Sequence, residues 1–432
     1  MNNSDLKRRI TLRKIIVFLI YLVALCMPLH PLAGDIALVF AALLAVIYKF
    51  KNRNRVEPQF VALTSDNAVL ENADSRSAIE SNFKWKWLFL IFMIWSLLST
   101  TNSPQPFLSQ FSWLYNVGMC GVIYYLTAGF LTNPHEQRRF IRFLLVGAIL
   151  VCIYGILQYV QMKGLAFHVW VDSEQFPGLK RRMYSTLFNP NILGEYLLMI
   201  LGVAGTAFLL DLRIKCWKRL IILFPICVLF FLCMVLTYSR GVWVSFAFIV
   251  LYWGLTVDKR LLVSLLAIPL VLFFYQGEVA SRLWSLFSGQ DTSTLLRIAL
   301  WDSTTYMIAD YPILGIGWDA FKWVYPEYNY FIQEENILIY HAHNMYLNVL
   351  AETGIIGAVT YFGAIYSEAF VTWKFAHRHP KHVRVAFYAI GAFIVGISIS
   401  GLTDHDLFAH QTSVIFWQLM GWGIACLSTK QN

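Results

Sequence analysis

Charge is scarce in this chain: 14% of its 432 residues are Asp, Glu, Lys or Arg, against 58% hydrophobic. Too little polar surface remains to coat a soluble globular domain, so the composition describes a polytopic membrane protein. Cysteine offers no framework either. Cys26, Cys120, Cys152, Cys216, Cys227, Cys233 and Cys426 all fall in apolar runs or in segments expected on the cytoplasmic side, which implies no extracytoplasmic disulfide. No CxxC or HExxH completes a zinc site. His341 and His343 are two residues apart and would face different sides of a helix, which argues against a metal centre. The phosphate loop GxxxxGK(S/T) and the dinucleotide fingerprint are both missing, so nothing points to nucleotide hydrolysis. Internal repeats and low-complexity tracts are also missing.

What the chain has in quantity is long apolar runs. A hydrocarbon core about 30 Å thick needs roughly 20 apolar residues per helical span. Runs of that kind lie near 14–30, 32–49, 87–101, 108–131, 139–162, 189–210, 219–238, 241–257, 260–276, 354–373, 384–402 and 411–428. The expected fold class is therefore all-α, with about 12 transmembrane helices. The first run follows Lys7, Arg8, Arg9, Arg13 and Lys14 and resembles a signal-peptide core, but no small-x-small cleavage site follows before the second run. It is expected to be an uncleaved anchor. Positive charge collects on the cytoplasmic side of membrane proteins. With both termini inside, 26 of the 34 Lys and Arg residues fall in cytoplasmic segments, so this orientation is expected. The net charge of +9 is then mainly topological; it is spread over separate segments and forms no basic face for nucleic acid.

Two polar stretches interrupt the runs. Residues 50–86 are rich in Asn, Ser, Asp and Glu without periodicity and read as a mobile cytoplasmic linker. Residues 277–353 form a long extracytoplasmic segment holding Trp284, Trp301, Trp318 and Trp323 and helix-like stretches such as Thr294–Trp301. Its aromatic content predicts a folded helical cap on the outer membrane face. The chain thus divides into spans 1–9 with the linker (1–276), the cap (277–353) and spans 10–12 (354–432).

The chemistry-bearing residues gather on the expected outer side. His341 and His343 stand beside the tenth span, and imidazole is the one side chain that exchanges protons near neutral pH without being perturbed. Arg181 and Arg182 precede Asn189-Pro-Asn-Ile-Leu-Gly194, in which Asn caps a helix and Pro fills its first turn. Ser239-Arg240-Gly241 opens the eighth span, and Arg297 sits in the cap. Guanidinium donors match phosphate oxygens bidentately, and helix N-termini attract anions, so these groups together suggest a pyrophosphate pocket. For any single arginine, headgroup snorkelling explains the position as well.

The run Arg182–Gly194, then Thr237-Tyr-Ser-Arg-Gly241, then His341–Gly357, in that order among about twelve spans, resembles the O-antigen ligase and Wzy-type polymerase superfamily of membrane glycosyltransferases. The resemblance implies a GT-C-like architecture in the bacterial inner membrane, with the active site facing the periplasm. It implies transfer of a glycan from an undecaprenyl-diphosphate carrier to lipid A–core in a ligase, or to another carrier-linked glycan in a polymerase. It implies Arg182 or Arg181 ahead of the Asn189 helix, Arg240, and Arg297 or Arg282 as donor-diphosphate ligands. His343 is implied as the catalytic base, with His341 its less certain neighbour. Asn189, Asn191, Asn344 and Glu352 are expected in support. The ligase pattern R-x-x-x-L is not met at Arg297, where Leu300 comes one residue early.

The expected reaction is direct displacement at the anomeric carbon with no nucleotide, metal or other cofactor. Glu195, Glu352, Asp404 and Asp406 lie on the same side, and each reads more readily as structural than as catalytic. Trp318 and Trp323 are explained equally by sugar stacking and by membrane anchoring. A lipid or polyanion transporter would share the spans and the arginines. Transporters, however, place essential charge near the bilayer midplane, whereas ionisable residues within the spans here are few, chiefly Asp35, Glu195 and Glu368.

Overall fold

The computed structural model describes residues 3–52, 87–161, 181–265, 292–330, 339–376 and 381–427. Among the described residues every regular element is helical. The helices are α1 (Asn3–Cys26), α2 (Pro31–Asn52), α3 (Trp87–Asn102), α4 (Pro106–Trp113) and α5 (Met119–Phe130), then α6 (Pro134–Gln161), α7 (Pro190–Arg213), α8 (Trp217–Leu236) and α9 (Arg240–Thr256). They continue as α10 (Thr292–Asp310), α11 (Phe321–Val324), α12 (Met345–Phe375), α13 (Lys381–Ser400) and α14 (His410–Leu427). A π-helical turn, Leu114–Gly118, joins α4 to α5. The expected apolar runs are largely helical wherever they are described; most of the run at 260–276 lies outside the described residues, as do nearly all of the linker 50–86 and the cap stretches 277–291 and 331–338.

Among the described residues six helices, α2, α6, α7, α8, α12 and α13, are long and apolar enough to cross a membrane, and α3 and α9 are shorter apolar helices. The chain is a polytopic membrane protein whose described elements are all helical. Large apolar side chains also lie on its outer surface. Phe40 and Leu43 on α2, Leu157 and Val160 on α6, and Ile221, Ile222 and Phe224 on α8 each expose more than half of their surface. A helix that is apolar all round is at home against lipid rather than water. Where helices meet, small residues let backbones approach: a Cβ at Gly147 of α6 would lie 2.8 Å from the Leu25 carbonyl oxygen of α1.

The centre of the bundle is α7, buried along most of its length and packed by α8, α9 and α13, with α14 equally enclosed nearby. A smaller second core joins Leu300 and Met307 of α10, Phe321 and Val324 of α11, and Ile316, Tyr325, Tyr328 and Ala342. The stretch Thr294–Trp301, expected to be helical, falls within α10. This layer is keyed to α12 by a kink. Gly354 adopts φ 65°, and a side chain there would run into the Ile313 carbonyl. The freed backbone is paired across the junction: Ile316 N–H donates to the Ala351 carbonyl at 2.8 Å, and Ile355 N–H to the Pro312 carbonyl at 2.9 Å.

Candidate functional site

Three helices begin in the same way. α7, α9 and α12 are each preceded by a residue at positive φ and then by an extended N-cap: Phe188 (60°) before Asn189, Tyr238 (52°) before Ser239, and His343 (48°) before Asn344. None of the three is glycine, so each holds a backbone conformation that costs on the order of 1–3 kcal/mol and persists because its surroundings impose it. The left-handed residue turns the chain sharply into its helix. Asn189 Oδ1 then accepts from the Asn191 N–H at 2.8 Å, and Asn344 Oδ1 accepts from the N–H groups of Tyr346 and Leu347, both at 3.0 Å.

The turn that follows α13, residues 401–405, binds these entries together. Met345 N–H donates to the Gly401 carbonyl at 2.7 Å, and Asn344 Nδ2 donates to the Leu402 carbonyl at 3.0 Å. A Cβ at Gly241, next to Arg240, would lie 3.0 Å from Thr403 Oγ1, which sets the start of α9 against the same turn. Arg182 Nε donates to the Thr237 carbonyl at 2.8 Å and so ties the approach to α7 to the approach to α9.

Asp404 stands at the centre. His343 Nδ1 is 3.1 Å from Asp404 Oδ1, Asn191 Nδ2 donates to Asp404 Oδ2 at 2.7 Å, and Arg297 Nη2 lies 3.9 Å from that same oxygen. Asn191 Oδ1 in turn accepts from Arg182 Nη2 at 2.7 Å. A chain of contacts therefore runs from Arg182 through Asn191 and Asp404 to His343, with Arg297 beside it. Burial opposes ionisation of Asp404, but the hydrogen bond and charge supplied by His343, with Arg297 next to it, outweigh burial and hold the carboxyl well below the usual carboxylate range. An ionised Asp404 accepts from His343 Nδ1–H and leaves Nε2 as the proton acceptor. The His343 side chain is 38% exposed, so a substrate can reach it, whereas Asp404 is 9% exposed.

Two further histidines line the cluster. His341 Nδ1 accepts the His343 backbone N–H at 3.2 Å, and its ring lies 4.3 Å from that of His343 and 6.0 Å from that of His405. Burial, reinforced by neighbouring positive groups, pushes His341 down to about 4 and His405 down to about 3. Both are neutral near pH 7.

Of the residues expected from sequence, Arg182, Arg297, Asn191, His341, His343 and Asn344 come together, with buried Arg240 at the adjoining helix start. Arg181 turns elsewhere, its guanidinium 4.2 Å over the Tyr159 ring of α6. Arg282 lies outside the described residues. Glu352, nine residues along α12 from His343, accepts the Asp319 N–H at 3.0 Å and serves the 311–321 loop instead of the histidine. Buried Glu195 lies within α7, and the side chain of Asp406 is outside the described set. Asp404, read from sequence as structural, is the hub, and His405 was not singled out at all. The available signal was their place in a polar turn between two apolar runs on the side of the histidines.

Spacing alone gives the two histidines no metal site; the fold adds Asp404, so that His341, His343 and Asp404 offer donor atoms within 4.8 Å of one another. Such a nitrogen and carboxylate set can hold a divalent ion. His341 Nδ1 already accepts a backbone N–H, leaving Nε2 as its free donor.

Residues 225–362, from α8 into α12, match the family model described as O-antigen ligase (Wzy_C), a domain shared by O-antigen ligases and Wzy-type polymerases. The match includes Arg240, Arg297, His341 and His343 and leaves Arg182, Asn191 and Asp404 beyond its ends. No curated protein matches the chain.

Proposed function

We propose that this chain, whose residues 225–362 match the O-antigen ligase family model, is an O-antigen ligase-type glycosyltransferase. It moves a glycan from undecaprenyl diphosphate to lipid A–core on the periplasmic face of the bacterial inner membrane. The observation that carries this reading is the His343–Asp404 pair, linked through Asn191 to Arg182 and flanked by Arg297. A base and a set of phosphate-matching cations within one cluster suit attack of a hydroxyl on a carbon whose leaving group is a diphosphate.

In this mechanism the acceptor hydroxyl oxygen attacks the anomeric carbon, and the bond from that carbon to the diphosphate oxygen breaks. His343 Nε2 takes the hydroxyl proton, a step worth about 10²–10⁴-fold in rate. Arg182, Arg240 and Arg297 stabilise the charge that develops on the departing diphosphate. Attack opposite the leaving group inverts the anomeric configuration. No nucleotide or metal takes part.

The test is transfer by reconstituted protein, with carrier-linked glycan and purified lipid A–core, read as a shift of the acceptor on a gel. His343→Ala abolishes transfer, His341→Ala is milder, and EDTA leaves the wild type active. Near wild-type transfer by His343→Ala removes it as the base. Loss of transfer in EDTA, restored by a divalent cation, makes His341, His343 and Asp404 a metal site. The one-residue departure of Leu300 from the ligase pattern after Arg297 supports a second reading, a Wzy-type polymerase. Lengthening of the carrier-linked glycan, with lipid A–core ignored, replaces the first reading by the second.

A further inference from the structure

Three residues before His343, Tyr340 belongs to a second group of side chains that the proposed mechanism does not use. Lys322 Nζ donates to Asp319 Oδ2 at 3.0 Å, and the same ammonium lies 4.6 Å over the Trp323 ring and 5.8 Å over the Tyr340 ring. Two aromatic rings thus flank one ion pair. Tyr340 is 52% exposed, and Trp323 is only partly buried. Trp318 differs: it is 8% exposed, its ring 6.2 Å from Phe92 and 6.5 Å from Phe408, so its position is explained by packing.

We propose that Trp323, Tyr340 and the Asp319–Lys322 pair form a subsite for a pyranose ring of the acceptor glycan, adjoining the sugar whose hydroxyl His343 deprotonates; this rests on the glycosyltransferase reading. Tyr340 is three residues from His343, so their Cα atoms are at most about 10 Å apart, the reach of one or two sugar rings. Sugar rings present C–H faces that pack on aromatic rings and hydroxyls that both donate and accept. The subsite offers each counterpart: two aromatic faces, a carboxylate to accept from a hydroxyl and an ammonium to donate to an oxygen. Asp319 and Lys322 also cancel in charge, so a diphosphate gains nothing there, which assigns the group to glycan and leaves the carrier to the arginines. The carboxylate is fixed from below. Asp319 sits at φ 56° with its N–H held by Glu352 Oε2 at 3.0 Å, and the glycines on its N-terminal side, Gly315 and Gly317, also have positive φ.

Steady-state transfer with varied lipid A–core and, separately, varied carrier-linked glycan tests the assignment. Tyr340→Ala and Lys322→Met raise the acceptor KM about tenfold and leave the donor KM within about twofold, whereas Tyr340→Phe, which keeps the ring, behaves as wild type. Melting temperatures of the two Tyr340 variants match that of the wild type, because Tyr340 is half exposed; Lys322→Met leaves the buried Asp319 carboxylate without its partner and melts lower, so its KM values are read on the fraction that remains folded and inserted. An unchanged acceptor KM in both Tyr340→Ala and Lys322→Met, or a rise in the donor KM instead, overturns the subsite. Calorimetric titration of the delipidated core oligosaccharide, and of the glycan released from the carrier, decides the matter where the wild type transfers nothing. In that case the glycosyltransferase reading fails, while weaker binding by Tyr340→Ala than by wild type still upholds a sugar subsite and equal or absent binding removes it.

Discussion

Asp404 is the residue on which the site depends, because its two oxygens hold His343 and Asn191 while Arg297 approaches one of them. Asp404→Asn keeps the volume but loses the anion. The amide then has one oxygen for contacts that previously used two, and its NH₂ turned toward His343 favours the tautomer with the proton on Nε2. Transfer is expected to fall by on the order of 10²-fold or more, with the protein still folded and inserted. Activity of Asp404→Asn within about threefold of wild type would reduce the carboxylate to a packing role. At this scale the sequence was informative where residues are close in the chain. Arg182, Arg240 and His343 stand in short motifs that name them. The His343–Asp404 contact spans 61 residues and exists only because the turn after α13 closes onto the start of α12. A carboxylate at such a separation has no local signature, so composition and spacing favoured the structural reading.

At the scale of elements, the helices were legible and their junctions were not. Apolar runs mark α7, α8, α9 and α13 closely, and Asn189-Pro190 announces its own helix start. The left-handed residues before α7, α9 and α12 are Phe, Tyr and His; Phe and Tyr have no preference for positive φ, so tertiary packing rather than local propensity sets those two, whereas His adopts it more readily. At the kink in α12, by contrast, the residue is Gly354, whose type itself permits the geometry. Gly354→Ala therefore meets two obstacles, the unfavourable φ and the Ile313 carbonyl in the path of its Cβ. It is expected to lower stability by about 2–4 kcal/mol, seen as a drop in melting temperature, and to loosen the cap layer from α12. Asn344→Ala is expected to cost about 0.5–2 kcal/mol through the lost cap and to lower activity more than stability, since Asn344 also holds the Leu402 carbonyl beside Asp404. A Gly354→Ala protein as stable as wild type would show that the 311–321 loop yields without cost.

For the whole molecule, the site's electrostatics predict how stability depends on pH. His341 and His405 are held at about 4 and about 3, below the value near 6.5 that an imidazole has in an unfolded chain. The unfolded state therefore binds protons that the native state refuses. Their stabilisation is fully present above about pH 6.5 and is lost as the pH falls toward 4 and then 3, each histidine contributing at most about 1.4 kcal/mol per pH unit in that window. Asp404 acts in the same direction but later: its carboxyl lies well below the ordinary range, so its share persists down to about pH 4, the value in an unfolded chain, and is lost progressively in stronger acid. Acid should thus destabilise the protein in two stages, histidines first. His341→Asn keeps an acceptor near the position of Nδ1 for the His343 N–H while removing the titration, and His405→Asn removes the second. The double variant in nanodiscs is expected to melt with a shallower dependence on pH between about 6.5 and 4.5 than the wild type, even if its melting temperature at pH 7.5 is lower. Identical slopes would mean that these imidazoles take up protons in the folded protein and would overturn this account.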